Sequence, residues 1–263
     1  MNVIPEFLRT AWSPENWPTF VLLTARIGGL MSTAPLWSMT AIPMRLRSAI
    51  TVLIGLVLLP GTKPVPAPVD VVGFPLPVAT EMIIGIAIGL VAAVLVHAAT
   101  MAGEVLSLQM GLSLGPAYSP VPEMQVSGVA PFVSLMALFV YVAVGGHLVM
   151  LEGLARSIEL LPPGGGANLG GGTLLVVAAN QMFTCAVTIA GPVMATLLLV
   201  NVALAILSRA VPQINAMLIS FPVSIGVGLL MLAASMPLVS STTAQWFGEV
   251  PTQIERVLDT LMP

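Results

Sequence analysis

Between Thr173 and Ser208 this chain has 36 consecutive residues without a formal charge. As one helix the run would measure about 54 Å, which overshoots a hydrocarbon core of about 30 Å. Either Gly191-Pro192 divides it into two pieces or it is one kinked helix rising beyond the membrane. A second uncharged interval runs from Met124 to Leu151. A chain built from such runs is expected to be an all-α, polytopic, membrane-type helical protein with kinked helical hairpins.

The composition agrees: 57% of the 263 residues are hydrophobic and 7% charged, against about 25% charged in an ordinary soluble domain. Mean hydropathy is +1.03. The eight basic and eleven acidic residues are scattered singly, so no basic patch for nucleic acid and no polybasic lipid anchor is expected. Cys185 is the one cysteine, which excludes an internal disulfide and a thiolate metal cluster. Glu6, Arg9 and Glu15 precede the first apolar run and Arg26 interrupts it, which favours a retained first helix over a cleaved signal.

Six apolar regions can be drawn between the charges and the proline clusters. The first, Trp17 to Trp37, holds Arg26, and a lone arginine near a helix centre costs about 2.5–3.5 kcal/mol on insertion scales. It is expected to face protein or water. The second, Ser48 to Leu59 behind Arg45 and Arg47, is short for a span and reads as re-entrant or packed on partner helices. From Pro60 to Pro77 six prolines predict a stiff extended connector. Glu81 then opens a long helix carrying the pair Gly85 and Gly89, whose spacing favours close helix contact. Pro131 and Gly145-Gly146 bracket a fourth helix. Beyond it Glu152, Arg156 and Glu159 stand at helical spacing, with Glu152 and Arg156 able to pair. Pro162 to Gly172 reads as a flexible linker and an internal boundary. After the long uncharged run, Ile214 to Pro237 forms a returning arm. Gln245 to Met262 reads as a short amphipathic helix with Ile254, Val257, Leu258 and Leu261 on one face.

The stretch Gly103 to Pro122 departs from this pattern. Gly103, Ser107, Gly111 and Gly115 line small side chains along one helical stripe, where another backbone can approach. Pro116, Pro120 and Pro122 then forbid helix, each removing a donor at roughly 3 kcal/mol. A proline-broken segment beside apolar helices survives only buried in protein or lining an aqueous cavity. It is therefore a candidate pore element.

Catalytic chemistry finds little support. His97 and His147 form no HExxH pair, no serine stands in GxSxG, and no aspartate pair lies in an apolar segment. Each histidine reads as a structural partner of nearby backbone or water. Glu81 and Glu104 could form a proton relay, or be interfacial carboxylates or partners of Arg26 or Arg209. No phosphate-binding loop, nucleotide motif or cofactor box is present, so no cofactor is expected.

Several phrases together resemble one family. They are Gly103-Glu104 through Gln109-Met110-Gly111, Gly145-Gly146-His147-Leu148 through Glu159-Leu160-Leu161-Pro162, Ser208-Arg209-Ala210-Val211-Pro212-Gln213-Ile214-Asn215, and Phe221-Pro222. In order and interval they are similar to the FliR family of flagellar biosynthetic proteins, the type III secretion export-gate family. The resemblance implies a non-enzymatic subunit, one copy joining several of FliP and of FliQ, with FlhB docked on the gate and unfolded proteins exported through it. It implies a FliP-like part, residues 1–161, followed by a FliQ-like hairpin and tail, 162–263. The setting it implies is the inner membrane and flagellar basal body, with part of the assembly above the membrane plane. The family's channel plug maps onto Gly111, Leu112, Leu114, Gly115, Pro116, Tyr118 and Pro120. Subunit packing maps onto Gly103, Ser107, Gln109, Gly111, Arg209, Pro212, Gln213, Asn215, Phe221 and Pro222. Ser119 replaces an aspartate expected before Pro120, and Ser220 a glycine before Phe221. Occlusion by shape and apolar contact is thus expected ahead of charge.

An injectisome counterpart is the near alternative. A secondary transporter is the distant one, but the halves show no matching broken segments. Basic residues divide four against three between alternate connections, so they fix no topology.

Overall fold

The computed structural model describes residues 16–39, 41–66, 73–112, 128–168, 172–211 and 216–262. Eight α-helices account for most of them: α1 Trp17–Thr33, α2 Met44–Leu58, α3 Pro75–Gln109, α4 Ala130–Ala143, α5 Gly146–Leu160, α6 Gly172–Ala210, α7 Ala216–Gly248 and α8 Val250–Leu261. No strand occurs among the described residues. The chain is an all-α, polytopic membrane-type protein. Four described helical stretches are long and apolar enough to cross a membrane, or five if α4 and α5, broken at Gly145, count as one.

All six expected apolar regions are helical, with shifted bounds. The second begins at Met44, so Arg45 and Arg47 lie inside α2 rather than before it, and with the 3₁₀ turn Leu59–Gly61 it reaches 18 residues. It is therefore long enough for a span. The long third helix starts at Pro75, six residues before Glu81, because prolines are tolerated in a first turn where the donor is free anyway. The proline connector is correspondingly shorter.

The uncharged run resolves as a single helix. α6 carries Pro192 in its interior and extends 39 residues without a break, and α7 likewise accommodates Pro222 and Pro237. One lost donor per proline did not outweigh the surrounding helical bonds. The returning arm runs on to Gly248, well past Pro237.

The described residues form two compact units. One gathers those of Met1–Ala93, Gly145–Ala178 and Phe247–Pro263; the other comprises those of Val94–Val144 and Ala179–Trp246. In the first, α8 buries Val250, Ile254, Leu258 and Leu261 while Glu255, Arg256 and Asp259 stay exposed, as its amphipathic pattern requires. Ile254 fills the space above Gly153, where a β-carbon would meet its Cδ1 at 2.9 Å. On the outer face of α5, Arg156 pairs with Glu159 at 2.8 Å, not with Glu152. Both partners are more than half exposed, so this choice has little energetic consequence.

The glycine-rich segment after α5 is fastened where it is described, contrary to a free linker. Gly164 N–H donates to Glu81 Oε1 at 2.9 Å, and Asn168 N–H donates to Leu261 O at 3.0 Å.

Candidate functional site: two seams along the third helix

α3 presents small residues in both of its halves, and each half receives another part of the chain at backbone distance. In the first unit the contact is with α1. A β-carbon on Gly85 would collide with the carbonyl of Arg26, one on Gly89 with Thr33 Oγ1, and one on Gly29 with the carbonyl of Met82. The GxxxG pair and Gly29 therefore interlock two helix backbones. Thr33 adds a hydroxyl donated to Ile86 O at 3.3 Å.

That approach brings a charge pair into the seam. Arg26 and Glu81 are fully and almost fully buried, at 0% and 2% exposure, and Arg26 Nε donates to Glu81 Oε2 at 2.6 Å. The rest of the guanidinium is occupied as well. Nη1 donates to Ser157 O at 2.9 Å and to Ser157 Oγ at 3.2 Å, and Nη2 to Leu161 O at 2.8 Å. Ser157 O and Leu161 O lie at the C-terminal end of α5, where the helix dipole is negative; Ser157 O shares its lone pairs between Arg26 and Leu161 N–H, the latter at 2.9 Å. Glu81 in turn spends its second oxygen on Gly164 N–H.

This arrangement decides between the alternatives for Glu81: it is the partner of Arg26. Buried charges persist when paired and hydrogen-bonded, and both of Glu81's oxygens are held by donors of the protein. Arg26 faces protein, as its position in an apolar helix required. Glu104 is exposed, as is His97, and His147 Nδ1 is buried without a hydrogen bond. The expected backbone partner of His147 is not found among the described residues. Nor do any three His, Cys, Asp or Glu among them approach closely enough to hold a metal ion.

In the second unit the stripe of α3 meets two segments of the same chain. A β-carbon on Gly103 would collide with the backbone of Ala130, and one on Gly128 with Ser107 Oγ. Ser107 donates its hydroxyl to Gly103 O at 2.7 Å and accepts Val129 N–H at 2.8 Å. Gly128 also stands opposite Leu112: an added β-carbon would lie 3.7 Å from Leu112 Cβ. The chain on the two sides of residues 113–127 is thus drawn together at one place.

Gly111 closes the helix in the left-handed region, φ +77°, which favours glycine. The Phe221 ring covers it, 2.6 Å from where a β-carbon would stand, and Met110 sits in the notch left by Gly228. Of the residues expected at the plug, Gly111 and Leu112 are described; Leu114, Gly115, Pro116, Tyr118 and Pro120 lie outside the described residues, as do Pro212, Gln213 and Asn215. Gln109, Arg209 and Pro222 are exposed.

Sequence reasoning passed over Gly29, Gly128, Ser157, Gly164 and Gly228. One signal was available: Arg26 and Gly29 are three apart, Glu81 and Gly85 four, so each charge precedes a glycine on its own helix face.

The sequence model of the bacterial export proteins, family 1, matches residues 17–250. The flagellar biosynthetic protein FliR of Pectobacterium carotovorum is 32% identical over 244 residues, 91% of this chain and 93% of that protein. FliR of Escherichia coli K12 is 31% identical, covering 90% and 92%. The surface presentation of antigens protein SpaR of Salmonella typhimurium is 30% identical over 82% of this chain and 77% of its own length.

Proposed function

The chain belongs to the bacterial export proteins, family 1, and on that premise we propose that it is the FliR-type subunit of a flagellar type III export gate. Its role in this reading is structural and non-enzymatic. It joins FliP and FliQ around the export channel in the inner membrane, with FlhB docked on the assembly, and unfolded substrates pass through. Residues 1–161 form the FliP-like part and 162–263 the FliQ-like hairpin with its tail, α6 and α7 being the long arms of that hairpin. The segment from Gly111 to Pro120 occludes the channel.

The observation that carries the plug is at its base. The helix stops at left-handed Gly111 under Phe221, and Gly128 stands beside Ser107 and Leu112. A segment with both ends fixed together can project as a compact loop while the helices that hold it stay in place. The flagellar reading is favoured over an injectisome by the relatives named FliR at 31–32% identity across about nine-tenths of the chain.

The test is a deletion of Pro116 to Pro120 in the chain co-expressed with FliP and FliQ. The complex should still co-purify, and the membrane should leak small ions. Unchanged conductance would sink the plug assignment, and purification of the parent chain without FliP and FliQ would sink the gate.

A further inference from the structure

The described helices leave two kinds of apolar face uncovered. α2 is the extreme case: only 11% of its 18-residue window is buried, against 56% for α3. Within α2 the one buried residue is Gly55, where an added β-carbon would meet Thr24, Phe20 and Ile27 of α1. On the opposite side Leu46, Ala49, Leu53 and Val57 form one exposed stripe at helical spacing.

Two features distinguish this stripe from a protein-binding face. First, it offers no polar group. The hydroxyls of Ser48 and Thr51 are turned back onto the carbonyls of Arg45 and Arg47, at 3.0 and 2.9 Å. By contrast, the exposed surface of α6 carries the amides of Asn180 and Asn201 among its apolar side chains. An amide in hydrocarbon needs a partner, so α6 suits a protein neighbour and α2 does not require one.

Second, its charges bracket the apolar part. Arg45 and Arg47 stand in the first turn, which contains no acid, and Lys63 is exposed beyond the other end. Two cations at a helix N-terminus oppose the macrodipole, and an anion there would relieve both. Neither arginine has an ion-pair partner among the described residues; Arg45 is exposed, while Arg47 is half-buried and donates Nη2 to Met39 O at 3.1 Å. From Arg47 to Lys63 the rise is about 24 Å, within reach of both interfaces of a core of about 30 Å once long side chains snorkel.

We infer that the outer face of α2 lies against bilayer lipid, with acyl chains over Leu46, Leu53 and Val57 and anionic phospholipid headgroups at Arg45 and Arg47. This rests on the inner-membrane placement proposed above.

The test uses the chain assembled with FliP and FliQ in vesicles of phosphatidylglycerol and phosphatidylethanolamine. A nitroxide is placed at Leu53→Cys in a Cys185→Ala background. In that complex oxygen should reach it several times more readily than a water-soluble nickel chelate. Poor access to both probes would put a protein partner on this face and overturn the inference, as would dominant nickel access. Spin-labelled phosphatidylglycerol should be preferred over phosphatidylcholine at the protein surface, and the preference should fall to parity in Arg45→Gln/Arg47→Gln. Absence of that preference in the parent overturns the headgroup assignment. Release of the unlabelled protein by alkaline carbonate would instead defeat the membrane placement, and the inference with it.

Discussion

The two seams of α3 solve the same steric problem with different chemistry. Around Gly85 and Gly89 the neighbour is a continuous helix, and the space gained admits a buried ion pair, Arg26 and Glu81. Around Gly103, Ser107 and Gly111 the neighbours are the first residue of α4 with those just ahead of it and one aromatic ring from α7, and the polar work falls to neutral hydroxyls, Ser107 at Val129 N–H and, one turn before Gly103, Thr100 bonded to Ser134. A helix meeting a helix has its own backbone bonds satisfied, so the seam can host charge. An irregular segment arrives with free donors, and Ser107 is spent on one of them, Val129 N–H. Small residues fix how close two segments come; what the neighbour leaves unpaired fixes which polar group stands beside them.

The first seam should suffer most from the loss of one charge. Arg26→Met leaves Glu81 buried and unpaired and should destabilise by about 3–5 kcal/mol. The double change Arg26→Met/Glu81→Met should recover most of that loss. Thermal unfolding of the detergent-solubilised protein reads both, and equal losses in single and double variants would show that packing, not charge, governs the seam.

Next in size is the steric term. Gly85→Val drives a side chain into the Arg26 carbonyl, a backbone atom that cannot rotate away, at a cost of about 1–3 kcal/mol or more. Because it also separates Arg26 from Glu81, the coupling measured between those two charges in a double-mutant cycle should shrink. Gly103→Val, which meets Ala130 backbone, should leave that coupling intact.

In the second seam, Ser107→Ala strands the Val129 N–H and should cost about 1–3 kcal/mol. Hydrogen exchange at Val129 should accelerate while exchange around Arg26 stays unchanged. The smallest effect belongs to Arg156→Ala: its pair with Glu159 is exposed, so stability should move by no more than about 0–1 kcal/mol, and less in high salt. A larger loss would mean that surface charge on α5 contributes to the clasp that Arg26 makes with its end.

Much of the fold could be read in advance. α4 and α8 are marked by local signals: Pro131 and Gly145 bound the first, and of the apolar positions Ile254, Val257, Leu258 and Leu261 all but half-buried Val257 are buried on the inner face of the second. Two boundaries were read too cautiously. Arg45 and Arg47 looked like a flank because charge argues against a span, yet they occupy the first turn of α2. Gly191-Pro192 left a break and a single helix both open, and α6 continues through it as one helix.

The residues alone establish that the six apolar regions are helical, that Arg26 must turn away from lipid, and that small residues on α3 invite close approach. These follow from periodicity and from the cost of bare polar groups, which are properties of each segment alone. The tertiary structure decided which approach each glycine receives and which groups answer Arg26. Glu81 lies 55 positions away and Ser157 131. Glu104 was open to the same local argument; only helix packing brings one carboxylate, and the carbonyls ending α5, within hydrogen-bond reach.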